Sequence, residues 1–211
     1  MNGEIMAKQI EGVYDRVLEC AKKEFLEKGF KGASMRVIAK EANTSTGSIY
    51  TRFKDKDGLF CALVNPLLFT IKEMANEIQN QFDLMDAKTQ EEKMAEFSVD
   101  SHDELLDFIY DHEEEFRLLL NCSHGSSAEN FMDSLIELEE KSTIQYLKTI
   151  GNEKAVENPL TRQFVHFLSA SYIYGLFEPV QRHMSREKAH EFDSLFTKYH
   201  SFGFNSLFGN K

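Results

Sequence analysis

The sequence predicts an all-α fold. The chain has 211 residues and is 42% hydrophobic, which suffices for one large domain or two small ones with a packed core. It contains only three prolines, and no run of alternating β-branched residues indicates a strand. Apolar residues instead recur at helical spacing between recognisable helix starts and stops. We therefore expect about nine helices.

The N-terminal part predicts a head of three helices. The first runs from about Lys8 to Lys28, with Gly29 as its stop. Ser34 is a good N-cap for the second helix, because its hydroxyl can accept from the free amides of the first turn. That helix ends at Asn43, which tolerates left-handed backbone, and Thr44–Ser45 offers the next cap. Two short helices joined by a three-residue turn form the helix-turn-helix pattern, whose second helix enters a DNA major groove.

The exposed face of the third helix suits a phosphate-lined surface. It carries hydroxyls and a guanidinium, and no acidic residue occurs from Thr44 to Lys54. Such groups bond to phosphates and base edges, whereas carboxylates would be repelled. Gly47 allows a close approach of the helix backbone. On pattern alone, an ordinary surface helix between two turns is the alternative.

More than a dozen positions of this stretch resemble, in register, the DNA-binding signature of the TetR/AcrR family of transcriptional regulators. The resemblance covers roughly residues 10 to 62. The chain has Asn43-Thr44 where the family usually has Gly-Val, and Asn can take the same left-handed turn. The matching positions are Gly29-Phe30-x-Gly32-x-Ser34-x-x-x-Ile38-Ala39-x-x-Ala42-x-x-Ser45-x-Gly47-x-Ile49-Tyr50-x-x-Phe53-x-x-Lys56-x-x-Leu59.

The resemblance implies an operator-binding surface on the head. Besides Gly47, two sets of side chains are expected to contact DNA, and Arg52 of the second set can alternatively reach a guanine. Base contacts are predicted for Arg36, Thr46, Ser48 and Thr51. Phosphate contacts are predicted for Ser34, Thr44, Ser45, Tyr50, Arg52 and Lys56.

The charge is unevenly distributed along the chain. The net charge is −11, which by itself argues against DNA binding. Residues 1–56 carry 11 basic and 8 acidic residues, a net charge of +3, whereas the remainder carries 13 and 27, a net charge of −14. A basic head on an acidic body is what a DNA-reading domain joined to another domain shows. We therefore predict a DNA-binding domain at 1–56 and an effector-binding and dimerisation domain at 57–211.

The body begins with a long helix from about Lys56 to Phe82, kinked at Asn65-Pro66. Residues 83–100 are strongly polar, and only a short helix from about Gln90 to Phe97 is expected there. The capping box Ser101-x-x-Glu104 predicts the start of a further helix, which breaks near His112.

The C-terminal third predicts three more helices after a loop at 122–127. Ser126-x-x-Glu129 is expected to cap the first of them, which ends at Gly151. Asn158-Pro159 starts the second, which extends to about His183. Ser185 caps the last helix. The apolar residues of this helix are predicted to face inward, namely Ala189, Phe192, Leu195, Phe196, Tyr199 and Phe202.

The last two helices, at about 159–208, are the candidate surface for self-association. In the family, the two C-terminal helices of each subunit form a four-helix bundle across a two-fold axis. A homodimer of this kind places two recognition helices about one DNA turn apart and implies a palindromic operator of double-stranded DNA. The alternative is that the aromatic stripes only fill the core of the monomer.

The resemblance implies a ligand-responsive DNA-binding regulator, a repressor released by a small-molecule effector. A body rich in Phe and Met and in acid suits an apolar or cationic effector. The candidate pocket residues are weak ones, each of which fits the core or the surface as well: Tyr110, His112, Phe116, Phe131, His166 and Tyr174.

Two other classes of function are open from the sequence. Cys122 near His124 suggests an enzyme, but neither an orienting residue nor an oxyanion signature accompanies them, so we predict no catalytic residue. A helical protein-interaction module with a TetR-like head and no effector is the second alternative, and it predicts a body without an internal cavity.

The cysteines indicate the compartment. Three widely spaced cysteines form neither a disulfide framework nor a zinc site, and we expect no metal and no cofactor. Met1–Ile10 carries acid and lacks an apolar core, so no signal peptide is expected. No apolar run is expected to reach the length of a membrane span. We predict a reduced, cytoplasmic protein.

Overall fold

The structure is a computed structural model that describes residues 2–209, with side chains described for residues 12–93, 102–153 and 156–209. The predicted all-α class is confirmed, and no strand occurs within the described residues. Residues 2–209 form ten α-helices and one π-helical turn, where the sequence predicts about nine helices. They are α1 Asn2–Gly32, α2 Met35–Glu41, α3 Thr46–Phe53, α4 Lys56–Asp83, α5 Ala87–Asp111, α6 Glu113–Arg117, the π-helical turn Leu118–Cys122, α7 Phe131–Thr149, α8 Glu153–Glu157, α9 Pro159–Gln181 and α10 Arg186–Phe208.

The helices form two compact units. The first, here called the head unit, comprises the residues up to Thr70 together with Glu114–Glu129. The second, here called the body unit, comprises Ile71–Glu113 and the residues from Asn130 onward. The predicted boundary at Lys56 is a different division, because it separates residues that contact DNA from residues that do not. It stays a prediction.

Aromatic rings form the core of the head unit. Phe60 and Phe25 are fully buried, and their rings meet edge to face with centroids 5.1 Å apart. Phe30 packs edge-on against Phe60 at 5.5 Å. Each such aromatic pair contributes about 0.5–1.5 kcal/mol of stability beyond that from burying the surface of its rings. α1 and the start of α4 are thereby joined beneath the helix-turn-helix.

Gly29 interrupts α1 where the sequence predicts its stop. Its backbone angles are φ 68° and ψ 169°, a conformation that only glycine adopts readily. Helical turns resume for a few residues to Gly32, so the helix is longer than predicted at both ends. The interruption directs the chain toward the cap of α2 at Ser34.

α4 is long and apolar enough to cross a membrane by length and composition alone, with a mean hydropathy of 1.3 over its most apolar 18 residues. The prediction that no apolar run reaches that length is wrong by this criterion. A core helix of a soluble protein passes the same test, and here Leu59, Phe60 and Val64 of α4 are fully buried in protein. The helix continues through Pro66 to Asp83.

Residues 83–100 are far more regular than predicted. α5 runs unbroken from Ala87 to Asp111, so the separate short helix at 90–97 and the helix start at Ser101 are both wrong. The cap lies upstream, because the Asp86 carboxylate accepts from the backbone amides of Lys88 and Thr89, each at 3.1 Å. α5 then breaks at His112, as the sequence predicts.

The segment before α7 also departs from the prediction. α7 begins after Asn130, so Ser126 is not its N-cap. The Ser126 hydroxyl accepts from Ala128 N within a turn, and Glu129 accepts from Gly125 N at 2.7 Å. The two residues of the expected capping box thus stabilise the loop rather than the helix.

α10 presents two apolar faces, of which only one packs inside the body unit. Its buried face includes Ala189 and Phe204, with Phe192 and Phe196 half-buried. The inward placement predicted for Leu195, Tyr199 and Phe202 is wrong, because these side chains are 72%, 77% and 79% exposed.

Polar residues occupy the centre of the buried face of α10. Asp193 accepts from His102 Nδ1 of α5 at 3.1 Å, and Thr197 Oγ1 lies 2.9 Å from the same nitrogen. The other ring nitrogen of His102 hydrogen-bonds the Tyr172 hydroxyl of α9. The polar groups of these four side chains therefore have partners, and the network links three helices of the body unit.

Candidate nucleic-acid interface

The turn between α2 and α3 is built as the sequence predicts. α2 closes with Ala42, and Asn43 then takes the left-handed conformation with φ 53°. This bend lets Thr44 N donate to Ala39 O at 2.9 Å. Ser45 follows as the N-cap of α3, and its hydroxyl accepts from Ser48 N at 3.1 Å. Hydrogen bonds at Thr44 and Ser45 thus fix the turn between the two helices.

α3, the predicted recognition helix, packs with α2 against the rest of the head unit through the buried faces of both helices. Ile38 and Ala39 of α2 and Ile49 and Phe53 of α3 are buried. Since i and i+4 positions share one face of a helix, Ile49 and Phe53 leave the opposite side of α3 free for contact with DNA.

The predicted DNA contacts line the outer surface around α3. None of them is acidic, and each is exposed or half-buried. The exposed ones are Arg36, Ser45, Gly47, Ser48, Tyr50, Thr51 and Arg52. The half-buried ones are Ser34, Thr44, Thr46 and Lys56. Their proximity makes a polar surface without negative charge, and their individual contacts with DNA stay predictions.

Arg52 lies against an aromatic ring that the sequence reasoning missed. Its guanidinium carbon is 4.1 Å from the centroid of the Tyr14 ring of α1. Tyr14 in turn stacks on Phe53 at 5.6 Å. A stacked guanidinium keeps its five donors pointing outward in its plane, so Tyr14 can position Arg52 for a phosphate or a guanine. Tyr14 precedes Val17 by three positions and so shares the buried face of α1, but helical spacing alone does not show which side chain of α3 its ring contacts.

Lys56 has a structural role in addition to its predicted one. Its ammonium donates to Lys31 O at 3.2 Å and to Ala33 O at 3.1 Å, and it lies 5.0 Å from the centroid of the Phe30 ring. Because an ammonium has three donors, one more can reach a phosphate. Lys56 therefore fixes the loop before α2 at the position where the predicted phosphate contact is made.

Ser34 is held from two sides. Its hydroxyl accepts from Val37 N at 3.5 Å, and its backbone amide donates to the Glu24 carboxylate at 3.0 Å. Glu24 of α1 is a second residue that the sequence reasoning left out. Its carboxylate satisfies the backbone amide of the cap residue Ser34, which would otherwise need a water molecule.

Similarity to known proteins agrees with this geometry. Residues 17–63 match the model of the family described as bacterial regulatory proteins, tetR family. The chain is also 27% identical over 180 residues to the HTH-type transcriptional regulator YhgD of Bacillus subtilis, an alignment that covers 82% of this chain and 86% of YhgD. Residues 17–63 therefore form a DNA-binding domain of the tetR family, which makes the chain a DNA-binding transcriptional regulator of the TetR type.

Solved structures show the same fold. NalD of Pseudomonas aeruginosa, described as the secondary repressor of the MexAB-OprM multidrug efflux pump, superimposes with a TM-score of 0.55 at 17% identity, covering 86% of this chain and 92% of NalD. A TetR-family transcriptional regulator of Mesorhizobium loti superimposes with a TM-score of 0.52 at 16% identity, covering 93% and 96% of the two chains. At these identities the likeness concerns the fold alone.

The structure places the six residues predicted for an effector pocket apart from the cavity of the body unit, and the effector pocket itself stays a prediction. The body unit contains a cavity bounded by α4, α5, α7, α9 and α10, and none of the six predicted residues lines its described wall. His166 pairs with Glu140 at the surface, and Tyr110 donates to Met184 O. Tyr174 is exposed, His112 ends α5, Phe116 is buried in the head unit, and Phe131 packs behind the wall on Phe177.

Cys122 and His124 do not form a nucleophile and its base. Burial raises the pKa of the Cys122 thiol, which is opposite to the change that activates a cysteine. His124 Nε2 is engaged instead by Lys31 Nζ at 2.8 Å, within the head unit. The geometry therefore gives no support to the enzymatic alternative.

The cap of α3 supplies a prediction. We expect Ser45→Ala to lower the free energy of unfolding by about 1 kcal/mol, because the Ser48 amide at the start of α3 loses its acceptor. Ser34→Ala is the matched comparison: its longer bond of 3.5 Å to Val37 N predicts a smaller loss. Urea unfolding monitored by circular dichroism measures both. A larger loss for Ser34→Ala would contradict this ranking.

Proposed function

We propose that this protein is a homodimeric transcriptional repressor that is released from a palindromic operator by a small molecule. Residues 1–56 read DNA through α3, and the remaining residues bind the effector and the second subunit. The protein acts in the cytoplasm, where its operator lies. Repression is proposed because NalD, which shares the fold, is described as a repressor.

The observation that carries the proposal is a double stripe of exposed apolar side chains on α9 and α10. On each helix the exposed residues recur at intervals of three, four or seven, which keeps them on one face. They are Leu160, Phe164, Phe167 and Tyr174 on α9, and Leu195, Tyr199 and Phe202 on α10. A contiguous apolar surface of this kind indicates an interface between proteins.

A second copy of the chain is the partner that fits this surface. Two adjacent helices with apolar outer faces, packed on the same pair of a second subunit, form a four-helix bundle with two-fold symmetry. Such a dimer presents two copies of α3 to one duplex, and a palindromic operator matches that symmetry.

The body cavity supports an effector rather than the interaction-module alternative. A helical module without a ligand predicts a closed core, whereas here the cavity has compartments of about 160 and 150 Å³. For release of DNA, the effector must bind more tightly to the dimer whose heads are spaced wrongly for the operator.

The test is binding to DNA from the protein's own upstream region, followed against salt. We expect a palindrome-specific complex whose affinity falls by about 10³-fold or more between 50 and 200 mM salt, because the two heads together displace several counterions from phosphates. Fluorescence anisotropy with labelled duplexes measures this, and a scrambled duplex of the same length is the control. No specific complex with that DNA or with a random-sequence library would overturn the proposal.

A further inference from the structure

The body cavity has two compartments that share a wall. The first lies between α4, α7, α9 and α10, and the second between α4, α5, α7 and α9. Both are bounded by Ile78, Gln79, Glu139, Ser142 and Tyr172. Glu139 therefore lies in the wall that the two compartments share, and the remaining lining of the second compartment is largely apolar.

The first compartment contains polar atoms that the protein leaves without a partner. Among the described residues, four buried side-chain nitrogen or oxygen atoms have no hydrogen bond, and three of these belong to residues that line this compartment. They are Tyr146 Oη, Ser169 Oγ and His200 Nε2. Tyr146 is only 7% exposed and Ser169 only 2%. Since leaving a buried polar group without a hydrogen bond is unfavourable, their clustering indicates a place for a polar ligand.

The protonation of these groups is fixed by their surroundings. Burial raises the pKa of Tyr146 to about 12, so its hydroxyl keeps its proton and can donate. Burial lowers the pKa of His200, which favours the neutral ring. Its Nε2 has no partner in the protein, and a neutral imidazole can present that nitrogen as an acceptor.

Glu139 is the one carboxyl group in the described cavity wall. Thr143 Oγ1 donates to Glu139 Oε1 at 3.2 Å, and no described Lys or Arg side chain forms an ion pair with it. Desolvation raises the pKa of Glu139, with His102 as an opposing influence. His102 itself is held by Asp193 and Tyr172. A buried carboxylate without a cation is unfavourable, so a ligand that carries positive charge gains most here.

The size of the compartments limits the apolar part of the ligand. Volumes of about 160 and 150 Å³ are close to the roughly 150 Å³ of an engineered apolar cavity that holds benzene. They are well below the 300–1,000 Å³, roughly, of sites for drug-sized molecules. One aromatic ring or a short aliphatic chain therefore fills a compartment.

We propose that the effector is a small primary amine, bound as the ammonium ion, that carries an apolar group of about the size of one aromatic ring. Glu139 is its counterion at the junction of the compartments, and His200 Nε2 is a further acceptor. This inference rests on the proposed function, because it names the chemical class of the effector.

The test compares three probes of equal size and different charge on the full-length protein by isothermal titration calorimetry. They are phenethylamine, uncharged 2-phenylethanol and anionic phenylacetate. We expect phenethylamine to bind at least 10-fold more tightly than the other two. Equal affinities, preference for phenylacetate, or no binding of the amine would each overturn the inference.

Two variants test whether Glu139 supplies the negative charge that binds the amine. Glu139→Gln keeps the shape of the side chain and is expected to weaken amine binding at least 10-fold and to abolish discrimination among the probes. Glu140→Gln is the matched control, since that carboxylate lies next in sequence on α7 but pairs with His166 outside the cavity. Thermal melts check that both variants are folded. Unchanged amine affinity in folded Glu139→Gln would overturn the role of Glu139.

A separate assay keeps this inference distinct from the proposed function. Phenethylamine is added to the preformed complex with operator DNA, and release is followed by anisotropy. Binding of the amine without release of DNA leaves the site correct and refutes its role as an effector site. If another compound releases the DNA and the amine does not bind, the proposed function is supported and the inference that the effector is an amine is overturned.

Discussion

Phe202→Asp is expected to convert the protein from a dimer to a monomer. Phe202 is 79% exposed on the α10 stripe, so in the proposed dimer its ring is buried against the partner. A carboxylate at that position would have to lose its hydration without gaining a cation, which costs several kcal/mol at each of two symmetry-related positions. Sedimentation velocity at micromolar concentration measures the change directly.

The same variant is expected to bind the operator at least about 100-fold more weakly. Each head then binds its half-site alone and loses the high effective concentration that the partner head supplies. Leu84→Asp is the matched control, because Leu84 is 88% exposed but lies outside both stripes, and it should leave the dimer and its DNA affinity unchanged. A dimeric Phe202→Asp protein would place the subunit interface on another surface.

The exposed stripe also shows where sequence reasoning fails. The helical spacing of apolar residues in α10 predicts that Leu195, Tyr199 and Phe202 face inward. The buried face instead carries Asp193 and Thr197, whose polar groups are satisfied by His102. A pattern of hydrophobicity cannot anticipate a buried polar network, because the partner of Asp193 lies on a helix 91 residues earlier.

The head was more predictable than the body for a physical reason. The caps at Ser34 and Ser45 and the left-handed Asn43 depend on residues one to four positions away, so local sequence determines them. The effector candidates depended on which helices meet, and the six chosen residues all lie away from the cavity wall. Glu139, which the sequence presents as one acid among many, becomes distinctive only when α4, α7 and α9 surround it.

Gly58 is a further residue of the head whose importance only the packing reveals. It lies in the first turn of α4, where its amide donates to Asp55 Oδ1 at 2.7 Å. A Cβ atom on this residue would lie 1.9 Å from the carbonyl oxygen of Phe53, the last residue of α3. Backbone atoms cannot rotate away as a side-chain tip can, so the end of the recognition helix must move.

Gly58→Ala is therefore expected to reduce both the stability of the head and its affinity for DNA. Relief of the overlap should cost about 1–3 kcal/mol of unfolding free energy, and a displaced α3 should weaken operator binding at least about 10-fold, since contacts in the groove depend on its position. Urea unfolding and anisotropy measure the two effects. Gly12→Ala is the matched control, because a Cβ there has no atom within 4 Å and alanine favours the helix. Wild-type operator affinity in Gly58→Ala would mean that α3 does not depend on its close packing against α4.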